Sequence, residues 1–321
     1  MRLFREIRAQ AAEVSRRARQ VRIDFDRADA LAREIAREIP GESNLDPGTD
    51  RLDDPDTTLA FVVTLDAINF GSGWFPFLAK TPGRSGYRTV AARLRARFQS
   101  RGAWSAGELG RLSVSECAET LGQTEVLDRP EVAELMALYT QALRDLGNWL
   151  DERFGGSFAD AIEAAEGRAE RLVGLLAEMP FYRDVSSYDG REVPFYKRAQ
   201  ITAADLHRAL GGAGLGRFED LDELTLFADN LVPHVLRQGG VLVYESALGI
   251  RIDAGELLQP GSPEEVEIRA TALHAVESMA EGLSSEGIRF PARELDTCLW
   301  SRGQRPGAKA QPRHRARCVY Y

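Results

Sequence analysis

The stretch DPDTTLAFVVTLDAINFGSGW, Asp54 to Trp74, constrains the fold more than any other part of the chain. Asp54 followed by Pro55 is a helix start. The carboxylate accepts from N–H groups of the first turn, and proline at the first helical position gives up an N–H that has no partner there. The residues that follow are apolar almost all the way round, not along one stripe. A helix of that kind belongs in the centre of a domain, wrapped by other elements.

The rest of the chain supplies those elements. Phe4, Ile7, Ala11 and Val14 recur at helical steps within Leu3–Arg19. After a break at Val21–Phe25, Asp26 is expected to cap a helix running to Ile39, stopped by Pro40-Gly41, with a Gly/Pro/Asp-rich loop over 40–54. Helices are expected at Val90–Arg97, Val114–Leu121 and Pro130–Phe154, the last ended by Gly155-Gly156. Further helices are expected from Ser157 to about Met179-Pro180, and at Phe195–Leu210, Leu221–Gln238, Pro263–Leu283 and Ala292–Ser301. Asp189-Gly190 marks a hairpin, and VLVYES and GIRID read as short strands. The expectation is a mostly α fold with a few short strands, in one unit spanning 1–321. Two helical lobes, about 1–125 and 126–321 with the active site between them, are compatible with this pattern.

Composition narrows the function classes. Forty-one Lys and Arg against 49 Asp and Glu leave a net charge of −8, which argues against a protein that grips a nucleic-acid polymer. Cys117, Cys298 and Cys318 are too scattered for a disulfide framework or a zinc site. The N-terminus has no signal-peptide core and no apolar run is long enough to span a bilayer, so a soluble, cytoplasmic protein with no membrane partner is expected. Gly211-Gly212-Ala213-Gly214-Leu215-Gly216 follows a helix and not a strand, which reads as a helix end and hairpin, not a dinucleotide fingerprint. With scattered histidines and no phosphate loop, neither a cofactor nor a metal is expected.

Four segments carry polar residues where core patterning calls for apolar ones. In LDAINFGSGW, Asp66 and Asn69 share a helix face, and Asn69 is also placed to cap the helix end. In PFYKRAQITAADL, Tyr196, Lys197 and Arg198 lead into a helix, a run that solvated surface turns also show. In LTLFADNLVPHVL, Asp229 and Asn230 interrupt an apolar helical pattern just before Pro233, an unusual place for an acid with only a structural role. In EVEIRATALHAVE, Glu267 and Arg269 are two apart and face different ways, so each needs a partner elsewhere. Asp296 and Trp300 in LDTCLW lie on one face. The residues themselves describe a helical protein with an acid-centred polar pocket and go no further.

These segments, with EVEIRA, LDTCLW and the tail PRHRARCVYY in this order, resemble the queuosine salvage protein family from about residue 20 onward. One departure is visible: Gly71-Ser72-Gly73 stands where the family usually has a cysteine and an aromatic. The resemblance implies a helical fold similar to helix-hairpin-helix DNA glycosylases, and hydrolysis of queuosine 5′-phosphate, a small-molecule nucleotide, to queuine. It implies Asp229 and Lys197 as catalytic. It further implies Asp66, Asn69, Phe70, Trp74, Tyr196, Arg198, Asn230, Glu267, Trp300 and His314 as substrate-binding. Of these, Asp66 or Glu267 suit the substrate's cationic amine. The aromatics suit its base, and Arg198, Lys197 and either His314 or Arg315 suit its phosphate. The tail His314–Tyr321 is then expected to be ordered. A DNA glycosylase and a non-catalytic queuosine-binding protein stay open as alternatives.

Overall fold

The Asp54-Pro55 start folds as its chemistry dictates: Asp54 accepts from the Thr57 N–H at 2.8 Å, and every residue from Thr58 to Ala67 is buried. The structure is a computed structural model that describes residues 2–38 and 51–321. In chain order the helices are α1 (Arg2–Arg17), α2 (Phe25–Arg37), α3 (Pro55–Ala67), α4 (Gly86–Arg101), α5 (Ala106–Gly110), α6 (Val114–Thr120), α7 (Pro130–Phe154), α8 (Phe158–Glu163), α9 (Ala169–Leu176) and α10 (Lys197–Ala209). They continue with α11 (Val232–Gln238), α12 (Ser246–Asp253), α13 (Pro263–Ser285), α14 (Ala292–Gly303) and α15 (Pro306–Ala310). The strands are β1 (Val21–Ile23), β2 (Val185–Tyr188), β3 (Arg191–Pro194), β4 (Leu242–Tyr244), β5 (Leu257–Leu258) and β6 (Arg315–Ala316). The fold is mostly α, as expected. No helix of the described residues is long and apolar enough to cross a membrane.

The chain forms two compact units, each assembled from separate stretches. The first combines the N-terminal residues with Asp184–Lys197 and Asp220–Arg317. Its core is α13, which packs against α1, α2, α11, α14, β1 and β2. The long-range pairs β1–β4, antiparallel, and β5–β6, parallel, close this unit, and β2–β3 forms the Asp189-Gly190 hairpin. Both turn residues have positive φ, 47° and 75°, as a tight two-residue hairpin requires.

The second unit takes the described residues 51–183, then Arg198–Glu219 and Cys318–Tyr321. Here α7 packs against α3, α5, α6 and α8. The α5–α7 approach depends on Gly147, where an added Cβ would lie 2.5 Å from both the Ala106 carbonyl oxygen and the Gly110 nitrogen. Backbone cannot yield as a side-chain tip does. Gly147→Ala is expected to cost about 3 kcal/mol, read as a lowered urea midpoint.

Several boundaries differ from the sequence expectation, each for a local reason. Asp24, not Asp26, caps α2, accepting from Arg27 N–H at 3.0 Å, because Val21–Ile23 is drawn into a strand. The single helix expected after Ser157 is two, α8 and α9, divided where Glu166 and Gly167 take φ of 50° and 67°. GIRID lies in α12 and is helical, its β-branched residues outweighed by packing. The helix expected at Leu221–Gln238 shrinks to α11, and residues 224–230 are irregular. Most of the loop expected over 40–54 lies outside the described residues. The tail is ordered: His314, Ala316, Cys318 and Tyr321 are buried.

Candidate active site

Asp229 sits at the end of the irregular run of the first unit. Its Oδ1 accepts from the Leu231 and Val232 N–H groups at 2.7 and 3.0 Å. Those N–H groups open α11 and have no partner inside the helix, so the acid serves as their acceptor. Pro233 therefore falls in the first helical turn, where its missing N–H costs nothing, and does not kink a longer helix. With Oδ1 fixed twice, the carboxylate is held in one orientation and Oδ2 remains for other chemistry.

Around Asp229 the first unit gathers further polar groups. Asn230 donates through Nδ2 to the His314 carbonyl at 3.3 Å. Arg313 is attracted to Asp229, although burial lowers the pKa of its own guanidinium. His314 is pushed down to about 3 by burial first, then by the charges of Arg269, Arg313 and His234. At neutral pH it is thus a neutral imidazole and not the fixed cation that phosphate binding would ask for. Its ordinary value is 6.5, so between about 3 and 6.5 the unfolded chain binds a proton that the folded chain refuses. Stability accordingly falls as pH drops below 6.5. His314→Gln should remove about 2 kcal/mol of the loss seen between pH 7 and pH 5, measured by urea unfolding at both.

Lys197, the first residue of α10, is 5% exposed, which removes the solvated-turn reading. Its backbone N–H donates to Asp184 Oδ2 at 3.1 Å. The Asp184 carbonyl accepts from Phe195 and Tyr196 N–H at 2.9 and 3.2 Å, while Tyr196 takes a left-handed φ of 47°. Asp184 in turn pairs with Arg269 through both carboxylate oxygens, at 3.0 and 2.6 Å. Glu267 and Arg269 do find separate partners. Glu267 accepts from Arg19 N–H at 3.0 Å, Gln20 N–H at 2.6 Å and the Tyr188 hydroxyl at 2.8 Å, tying the α1–β1 turn to α13. Asp296 accepts from Phe227 N–H at 3.2 Å, leaving Trp300, part-exposed on α14, as the aromatic of that pair.

The second unit holds its own group at the end of α3. Asn69 Nδ2 donates to Asp66 Oδ1 at 3.2 Å. Arg198 is 1% exposed and lies between the rings of Phe70 and Tyr182, 4.9 and 4.7 Å from their centroids. It donates to the carbonyls of Asp66 and Ala67, in the last turn of α3, and to that of Phe181. Phe70 meets Tyr139 edge-on, and the Tyr139 hydroxyl donates to the Phe70 carbonyl at 2.6 Å. Trp74 donates through its indole N–H to Glu134 at 2.7 Å. Gly71, at φ 115°, donates to the Tyr321 carbonyl, so the tail residues of this unit brace the Gly71-Ser72-Gly73 turn.

The structure thus brings Asp229, Asn230 and His314 together, orders Tyr196 and Lys197 through Asp184, and clusters Asp66, Asn69, Phe70 and Arg198. Sequence reasoning missed Asp184 and Arg313 and gave Arg269 no partner. Asp184 precedes a hairpin and looks like an ordinary turn residue. Only the buried Arg269, itself noticed as an arginine in an apolar helix, signals that a buried acid must exist somewhere. Chemically, the group around Asp229 offers an oriented carboxylate, a neutral imidazole and a nearby cation.

A family model described as "Queuosine salvage protein" matches residues 49–321. The chain is 40% identical, over 81% of its length and 80% of the relative's, to a Sphaerobacter thermophilus protein named queuosine 5′-phosphate N-glycosylase/hydrolase. Proteins of the same name from Mus musculus and Dictyostelium discoideum are 32% and 37% identical. The first match covers 83% of this chain and 82% of the relative, the second 64% and 63%.

Proposed function

The chain belongs to the queuosine salvage protein family, and on that premise we propose that it hydrolyses the N-glycosidic bond of queuosine 5′-monophosphate and releases queuine. The observation that carries the reading is Asp229, an acid fixed by two backbone N–H groups on an irregular segment inside a helical unit. A residue needed only as a cap would be as well served by serine or asparagine.

The chemistry asks for such an acid. As the bond between C1′ and the base nitrogen lengthens, positive charge builds on the sugar and the bonding pair moves onto the base. Asp229 stabilises the oxocarbenium-like centre and takes a proton from the attacking water. The water oxygen bonds to C1′, the C1′–N bond breaks, and the departing base gains a proton, giving queuine and ribose 5-phosphate. Queuine is a deazapurine and lacks the ring nitrogen at which purines are readily protonated, so hydrogen bonds at its six-membered ring must assist its departure. Asn69 and Lys197 have the donors for this. Asp66 suits the substrate's secondary ammonium group. Phe70, Trp74, Tyr196 and Trp300 offer stacking faces. Lys197 and Arg313 offer positive charge for the phosphate.

Arg198 and Glu267 contribute by holding α3 and the α1–β1 turn in place, Asn230 by holding the His314 strand end, and His314 as a neutral group. No cofactor takes part in this scheme. We propose that residues 1–321 act as one glycosidase unit on a free nucleotide in the cytoplasm, not on a nucleic-acid polymer. The test is product analysis after incubation with queuosine 5′-monophosphate. Queuine and ribose 5-phosphate in equal amounts are expected. Unchanged substrate overturns the reading.

A further inference from the structure

Arg269 is the most deeply buried cation of the first unit, at 0% exposure on α13. Its fork reaches two places at once. Nη1 and Nη2 donate to the two oxygens of Asp184, at 3.0 and 2.6 Å, and Nε donates to the Ala228 carbonyl at 3.0 Å. Ala228 immediately precedes Asp229, and Asp184 holds the backbone N–H of Lys197. The guanidinium carbon also sits over the Phe195 ring, 3.9 Å from its centroid, and Nη1 is 3.7 Å from Glu265.

One planar group therefore connects the segment carrying Asp229 to the turn carrying Lys197. Neither segment has a helix or strand ladder to set its backbone, although Phe227 N–H on Asp296 and Asn230 on the His314 carbonyl also anchor the first. Residues 224–230 have no regular structure, and Tyr196, next to Lys197, takes a left-handed φ that strains a non-glycine residue. Backbone in such states persists only where its surroundings determine it. A guanidinium suits this task because its five donors have fixed directions, whereas an ammonium is a point charge on a flexible stem.

We propose that Arg269 is a positioning residue: through Asp184 and Ala228 it fixes the distance and orientation of Lys197 relative to Asp229. The proposal rests on the hydrolase reading above. It predicts an effect on the chemical step and little effect on substrate capture, since misplacing reacting groups by about 1 Å costs on the order of a hundredfold in rate.

The test uses the full chain in two variants. Arg269→Lys keeps the charge and loses the fork. Arg269→Met combined with Asp184→Asn removes both members of the two-pronged pair, so neither is left facing an unmatched charge from the other, while the buried Glu265 keeps the Gly261 N–H. Folding is checked by circular dichroism melts, and kcat and KM for queuosine 5′-monophosphate are measured per folded molecule. The expected result is a kcat about a hundredfold lower in both variants with KM within about threefold of the parent. Folded variants with the parent's kcat would overturn the proposal, as would a loss that merely tracks the folded fraction. If the parent protein itself releases no queuine, the hydrolase reading fails first and takes this proposal with it.

Discussion

Asp229→Asn should abolish turnover while leaving a folded protein that still binds its nucleotide. Asparagine keeps a side-chain oxygen where Oδ1 accepts from Leu231 and Val232, so α11 retains its acceptor. What disappears is the negative charge and the ability to take a proton from water. Electrostatic stabilisation and general-base assistance each contribute orders of magnitude, so kcat should fall by about a thousandfold or more. Binding, measured by calorimetry with queuosine 5′-monophosphate, should change by less than about tenfold, because the lost charge acts mainly on a centre that forms in the transition state. A comparable loss of binding and rate would place Asp229 in ground-state recognition instead.

Glu267→Ala should produce the largest loss of stability. The carboxylate is 1% exposed and serves the Arg19 N–H, the Gln20 N–H and the Tyr188 hydroxyl, three donors from two separate stretches of the first unit. Hydrogen bonds to a charged acceptor are the strong ones, and removing the acceptor strands the buried Tyr188 hydroxyl and two backbone N–H groups at once. A cost of about 3–5 kcal/mol is expected, visible as a lowered urea midpoint with an unchanged m-value. The alternative is that Glu267 grips the ammonium group of the substrate. That would show the opposite pattern, with KM raised severalfold and stability close to that of the parent.

The two predictions mark what the sequence could and could not show. That Glu267 and Arg269 needed separate partners followed from their spacing. Which partners they have depends on Arg19, Gln20, Tyr188 and Asp184, all 79 or more residues away along the chain. No local pattern carries contacts of that length. Likewise Asp54-Pro55 and Gly155-Gly156 bounded α3 and α7 because caps and breakers act within a turn. The apolar run 224–236 suggested one helix because periodicity cannot report that Arg269 takes the Ala228 carbonyl, or that Asp229 starts the helix late. Arg198 and His314 show the limit at the site itself. Both read as cations available for phosphate, yet one guanidinium is occupied by three carbonyls and the other side chain is held neutral by burial.

The account stands most directly on the release of queuine at saturating queuosine 5′-monophosphate, followed by chromatography for the parent protein and for Asp229→Asn side by side. Queuine from the parent alone, with substrate bound by both, is the predicted result. Equal release from both proteins, or bound and intact substrate in both, would contradict it.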